Sequence, residues 1–201
     1  MSIRIYGNRE LKTLPGLETR PTLAKVREAL FNVWQGSIVD CRWLDLCSGS
    51  GGMGAEALCR GAKLVVGIEN SIPACDLIEQ NWGKVMSTSQ SYRLLRGDVV
   101  KKIALLAGQK FDLIYLDPPY AGDLYAPVLN AIEQFELLAP SGEIAVEHSP
   151  YSRISTLPDT LTTLELCRLK TYGKTALSFY QLKRVDESVG VPLVGTQPLT
   201  T

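Results

Sequence analysis

Two short stretches of this chain carry residue types able to act on a bound ligand. The first is Asp117-Pro118-Pro119-Tyr120, which ends the apolar run Phe111–Asp117. Two prolines fix φ and remove two backbone donors, leaving a stiff corner whose carbonyls are free to accept hydrogen bonds. An exocyclic amine of a nucleobase is a poor nucleophile, because its lone pair is delocalised into the ring. The Asp117 carboxylate and the Pro118 carbonyl supply two acceptors for its two N–H bonds, turning the lone pair toward an electrophilic methyl group. Tyr120 offers an aromatic face to a base taken out of its stack. Catalysis of this kind is alignment plus electrostatics, and it calls for no strongly basic group.

The second stretch is the loop after Trp43-Leu44-Asp45-Leu46-Cys47. There Gly49, Gly51 and Gly54 fit G-x-G-x-x-G between an expected strand and an expected helix. Glycine lets a backbone turn sharply and approach a ligand closely. Glu69 ends the next apolar run, twenty residues after Gly49, where a carboxylate accepts from ribose hydroxyls. A nucleoside-containing ligand follows. Asp45 is awkward beside a diphosphate and suits a cation such as S-adenosylmethionine. Asp98, after the following run, is placed to accept from an adenine amino group, although it also fits a helix N-cap.

Those residues need a frame that brings strand ends together. Short runs rich in Val, Ile, Leu and Tyr (Arg42–Cys47, Leu64–Glu69, Tyr92–Arg96, Phe111–Asp117, Gly142–Glu147) alternate with helix-length segments (Gly52–Arg60, Ile72–Met86, Val99–Ala107, Leu124–Leu138). This alternation predicts an α/β fold with a doubly wound, mostly parallel sheet. Leu161–Thr171 and Thr175–Arg184 read as an antiparallel hairpin ending the sheet. Ahead of it, Thr22–Gln35 reads as an amphipathic helix with Pro21 at its start, and residues 1–14 as a small hairpin. The expected organisation is an extension over 1–36, a catalytic domain over 37–184, and a disordered tail over 185–201.

Composition narrows the classes. The chain has 201 residues, 45% hydrophobic and 21% charged, with 21 basic and 21 acidic side chains. No apolar stretch is long enough for a membrane span, and the start lacks a signal-peptide core, so a cytoplasmic protein is expected. Residues 1–30 hold six basic side chains (Arg4, Arg9, Lys12, Arg20, Lys25, Arg27) against three acidic ones, which suits a docking arm for a polyanion. Five cysteines without a C-x-x-C pair and a single His148 argue against a disulfide framework, a zinc site or triad hydrolysis. No metal is expected.

The chain resembles the class I S-adenosylmethionine-dependent methyltransferases, and within them the RsmD family of bacterial 16S ribosomal RNA guanine-N2 methyltransferases. The resemblance covers about residues 3–183. It rests on Arg20-Pro-Thr followed by Val26-Arg27-Glu28-Ala29-Leu30-Phe31-Asn32, and on Leu44-Asp45-Leu46-Cys47-Ser48-Gly49-Ser50-Gly51. Gly54-Ala55-Glu56-Ala57-Leu58-Cys59-Arg60-Gly61-Ala62 and Asp117-Pro118-Pro119-Tyr120 complete it. It implies a seven-stranded sheet, S-adenosylmethionine as cofactor, and methylation of one guanine amine in RNA of the small ribosomal subunit; nothing in the sequence suggests an obligate dimer, so a monomer is expected. By position, Asp45, Gly49 and Gly51 would line the methionine part, Glu69 the ribose and Asp98 the adenine, with Ser50 also touching the cofactor. Asp117, Pro118, Pro119 and Tyr120 would hold the amine, and Arg4, Arg9, Lys12, Arg20 and Arg27 would meet RNA phosphates.

Three rival readings remain at this level. One changes the acceptor to adenine N6 or a glutamine amide, another is a nicotinamide-dependent oxidoreductase, and the third is a non-catalytic RNA-binding module. The oxidoreductase leaves Asp45 and Asp117-Pro118-Pro119-Tyr120 without work.

Overall fold

The computed structural model describes residues 2–14, 21–119, 123–151, 157–158 and 160–184. The tail from Asp186, expected to be disordered, lies outside them. Alternating apolar runs and amphipathic segments resolve into a seven-stranded sheet flanked by helices. In chain order the elements are β1 (Ser2–Ile5), β2 (Arg9–Lys12), α1 (Pro21–Val33), β3 (Arg42–Leu46), α2 (Gly52–Cys59), β4 (Leu64–Glu69), α3 (Ile72–Val85) and β5 (Ser91–Arg96). They continue with α4 (Val99–Lys102), β6 (Phe111–Leu116), α5 (Tyr125–Gln134), β7 (Leu138–His148), β8 (Leu164–Tyr172) and β9 (Thr175–Leu182).

The main sheet runs β5-β4-β3-β6-β7-β9-β8. It is parallel from β5 to β7, and β9 and β8 are antiparallel. Strand order reverses between β3 and β6, so a crevice opens at their carboxyl ends, where open α/β sheets bind ligands. The glycine loop leaves β3 and the Asp117 corner leaves β6, so topology alone makes the two chemical stretches neighbours. The separate antiparallel hairpin β1–β2 pairs Ser2 with Lys12 and Ile5 with Arg9.

Side-chain alternation sorts the sheet into two cores. Leu44, Leu46, Ile114, Leu116, Ile144 and Val146 face α5 and the segment 99–106. Trp43, Leu113, Ala145 and Phe179 face α1, α2 and α3. On that second side Phe31 stacks on Trp43 with ring centroids 5.3 Å apart, and Trp34 meets Trp43 edge-on. Each such ring, fully buried, contributes about 2–3 kcal/mol through the area it removes from water. Asp45 alternates with Leu44 and Leu46, and therefore points toward the α1–α3 side.

Boundaries differ from the sequence reading in three places. The expected helix Val99–Ala107 is a four-residue α4 followed by a 3₁₀ turn over Ile103–Leu106. The helix expected to reach Leu138 stops at Gln134, because Glu136 takes a left-handed φ of 49° and Leu138 already opens β7. The run expected from Gly142 therefore starts four residues earlier.

Candidate active site

The crevice holds a cavity of about 560 Å³. Asp45, Gly49 and Ser50 form one side, and Tyr115, Asp117 and Glu147 another. Ser2, Ile3, Arg4 and Glu10 of the amino-terminal hairpin, with Arg27 of α1, complete the wall. Two candidate groups read from the sequence, cofactor loop and amine corner, thus share one space, and the hairpin is part of that space.

Asp45 is 1% exposed, and its Oδ2 accepts from the Gly54 amide at 3.0 Å. Burial, opposed by that amide and assisted by the charge of Glu69, pushes its carboxyl up to about 7. Such a group asks for a positive neighbour. Glu69 acts beneath the loop: Oε2 accepts from the Gly49 amide at 2.8 Å and Oε1 from the Ser71 amide at 2.7 Å. Each oxygen keeps a further lone pair for a hydroxyl.

The three motif glycines divide their work. A Cβ at Gly49 would meet nothing within 4 Å, so this residue borders open space. A Cβ at Gly51 would come within 2.7 Å of Trp82 Nε1, and one at Gly54 within 2.5 Å of Trp82 Cζ2. Trp82 is fully buried and donates from Nε1 to the Gly51 carbonyl at 2.7 Å. Gly49 takes a left-handed φ of 56°, which favours glycine, and faces open space. Gly51 and Gly54 instead make room for an indole behind the loop.

Asp98 is exposed, and its Oδ1 caps α4 by accepting from the Lys101 amide at 3.0 Å. It is not on the cavity wall, so the helix-cap reading offered beside the adenine reading is the one the geometry displays. Asp117 is half-buried, Pro118 buried and Pro119 exposed. Tyr120 and Arg20 lie outside the described residues. Burial first, then the charges of Glu147 and Asp45, pushes the Asp117 carboxyl well above the usual carboxylate range. Cys47, also on the wall, has a left-handed φ of 64°. Burial and the surrounding acids push its thiol up to about 12, so it is no thiolate nucleophile at neutral pH.

Among the basic candidates, Arg27 is engaged within the protein while it also lines the cavity. Its Nε lies 2.6 Å from Glu56 Oε2, and its Nη2 donates to the Arg4 carbonyl at 2.6 Å. Glu56 also pairs with Arg60 at 2.8 Å, whose guanidinium lies over Tyr6 and Phe31. Arg27 therefore ties the hairpin to α2. Arg4, Arg9 and Lys12 are exposed. Arg9 is steadied by Cys59 Sγ and the Val85 carbonyl, and Lys12 by Gln80. Asn81 fastens the hairpin to the loop, donating to the carbonyls of Lys12 and Ser50, both at 2.9 Å.

Tyr115 and Glu147 escaped the sequence reading. The signal was there, since residue 115 lies two before Asp117 on the same sheet face. Glu147 ends a neighbouring apolar run, as Asp117 does.

A doubly wound sheet with its glycine loop after β3, acids at successive strand ends and an antiparallel closing pair is the fold of the class I S-adenosylmethionine-dependent methyltransferases. The chain belongs to the family described as conserved hypothetical protein 95, the RsmD family of the sequence resemblance, whose model matches residues 3–181. It is 33% identical over 175 residues to YlbH of Bacillus subtilis (strain 168), covering 86% of this chain and 93% of that one. It is 31% identical over 174 residues to the Escherichia coli (strain K12) protein named ribosomal RNA small subunit methyltransferase D, covering 87% and 84%. The solved structure of yhhF from Escherichia coli superposes with a TM-score of 0.76 at 31% identity, over 91% of this chain and 99% of that one.

Proposed function

We propose that this chain methylates the exocyclic N2 amine of a guanine in RNA of the small ribosomal subunit, with S-adenosylmethionine as donor. The observation that carries the reading is the shared cavity: Asp45 and Gly49 face the same space as Asp117. The name of the Escherichia coli relative supports the choice of RNA.

The residues fit the donor. Asp45, buried and without a cationic partner among the described ion pairs, suits an ammonium group, whereas three nearby acids disfavour a diphosphate. The open side of Gly49 leaves room for the methionine chain, and Glu69 has lone pairs for ribose hydroxyls. Bound there, the cofactor supplies an electrophilic methyl group. Asp117 and the Pro118 carbonyl take the two N–H bonds of the amine and hold its lone pair in line. The stiffness of Pro118-Pro119 lowers the reorganisation needed on binding. Arg4 on the cavity wall, with the exposed Arg9 and Lys12 of the same hairpin, holds phosphates of the same RNA. The reading takes residues 1–36 as the docking extension, 37–184 as the catalytic domain, and the enzyme as a cytoplasmic monomer. Among the described residues, no helix is long and apolar enough to cross a membrane.

The test is mass-spectrometric mapping of methylated guanosines in small-subunit RNA from cells lacking the protein, with restoration by purified enzyme and S-adenosylmethionine. One N2-methylguanosine should vanish and return. An unchanged guanosine map, or methyl transfer to adenine instead, would overturn the assignment.

A further inference from the structure

Glu147 has no role in the reading above, yet it is the most constrained acid in the cavity. Leu116 pairs with Val146 across the parallel β6–β7 ladder, which sets Asp117 and Glu147 side by side at the strand ends. Tyr115 pairs with Ala145 one alternation earlier and with Asp45 on the other side. These acids and the phenol therefore share one face of the sheet. Glu147 is 2% exposed. Its Oε2 accepts from the Tyr115 hydroxyl, and its backbone carbonyl accepts from the Tyr125 hydroxyl at 3.1 Å. Its Oε1 is buried with no hydrogen-bond partner, although the residue lines the cavity.

An unpaired buried acceptor is costly, by about 1–3 kcal/mol and more for a charge. Among the described ion pairs none includes Glu147. The charged and titratable groups around it are Asp45 from β3, Tyr115 and Asp117 from β6, and Tyr125 from α5. His148 beside it is engaged with Ser178 of β9. Arg4 and Arg27 stand on the cavity wall, with Arg27 held by Glu56. A proton held by the neighbouring Asp117 carboxyl would satisfy Oε1.

We propose that Glu147 is a positioning residue for methyl transfer, making Asp117 the acceptor of the amine proton and taking a hydrogen bond at Oε1 from Asp117 once that proton has arrived. The inference rests on the function proposed above. The step balances: a carbon–nitrogen bond forms at the amine, the donor's carbon–sulfur bond breaks, and one N–H proton passes to Asp117 and thence to water. The positive charge that entered with the donor leaves as that proton. Burial, then the charges of Glu147 and Asp45, holds the Asp117 carboxyl well above its usual range, and burial, opposed by the Tyr115 hydroxyl, raises that of Glu147, which favours proton uptake by the pair.

The experiment compares wild type with Glu147→Gln, which keeps an acceptor for Tyr115 and removes the charge. Carbon-13 NMR of the cofactor-free protein follows the Asp117 carboxyl through a pH titration. In Glu147→Gln its midpoint should fall by a unit or more. In turnover with small-subunit RNA, kcat should drop at least tenfold, while cofactor affinity and KM for RNA stay within about twofold. Glu147→Asp should restore part of kcat. An Asp117 midpoint that does not move, or an unchanged kcat, would overturn the proposal. If Glu147→Gln does not fold, Tyr115→Phe is read by the same titration; the Glu147 midpoint should rise as Oε2 loses its donor, and a static one refutes the arrangement. Wild-type protein inert toward every ribosomal guanine would instead sink the proposed function, and the titration would still report on the carboxyl pair.

Discussion

Asp45 offers the sharpest test of the cofactor site, because its charge state and ligand affinity must move together. Burial pushes its carboxyl up to about 7, so at pH 5 only ~1% of the molecules carry the anion and at pH 7 about half do. If only the anion holds a ligand ammonium, affinity for S-adenosylmethionine should rise on the order of 50-fold from pH 5 to pH 7, equivalent to about 2.3 kcal/mol. An α-amino group with an ordinary pKa of about 8 stays cationic throughout that window. Isothermal calorimetry checks this twice, once through Kd and once through the proton released on binding. At pH 7 the release should approach half a proton, read from buffers of different ionisation enthalpy. Asp45→Asn should bind weakly with a flat profile. A Kd that changes less than threefold across the window, or a slope kept by Asp45→Asn, would refute the ammonium role. The empty fold responds in the opposite sense. A carboxyl whose folded value lies above its unfolded value of 3.8 stabilises the fold at low pH and loses that contribution as pH rises through about 7. Asp117 and Glu147 are raised as well and act in the same direction. The cofactor-free protein should therefore melt lower at pH 8 than at pH 5.

Four other outcomes are expected. Asp117→Ala should leave cofactor affinity within a few-fold and lower methyl transfer at least ~100-fold, as for loss of one preorganised polar contact; unchanged turnover would remove it from the amine site. Neutralising Arg4, Arg9 and Lys12 together should weaken RNA binding and flatten the salt dependence by up to about three phosphate contacts, whereas an identical slope dismisses the docking arm. Glu56→Ala strands the Arg27 and Arg60 guanidiniums, whose side chains are 15% and 18% exposed. That costs about 3 kcal/mol, or ~6–12 °C in Tm by calorimetry, and a shift below 2 °C would show that the triad holds nothing. Gly54→Ala forces a methyl group to within 2.5 Å of Trp82. It should lower stability by about 1–3 kcal/mol in denaturant titration, with partial recovery when Trp82→Phe is added; no recovery would mean the strain lies elsewhere.

The sheet was readable because its strands are buried on both faces and therefore stand out as continuous apolar runs between helical periods. Strand ends were the weak point. The helix expected to reach Leu138 gave way at Glu136, whose left-handed backbone leaves no mark in hydrophobic periodicity. Around the cavity, Asp45, Gly49, Ser50 and Asp117 were visible from motif spacing, and all four line the same space. Arg27 looked like a surface cation, because its partner Glu56 lies 29 positions away and a long-range ion pair has no local signature. Glu147 was hidden for a related reason. Its importance comes from lying beside Asp117 across a parallel ladder, and cross-strand register is not written into either strand alone.

The indole behind the nucleoside loop has a practical corollary. Trp82 abuts Gly51 and Gly54, meets Tyr92 edge-on and is sealed from solvent. Occupancy of the cleft should therefore be audible in its emission without any engineered label. It also ties the loop's sequence to a residue roughly thirty positions downstream. Enlarging either glycine to retune ligand choice would demand a smaller ring at 82, so these positions can drift only as a set.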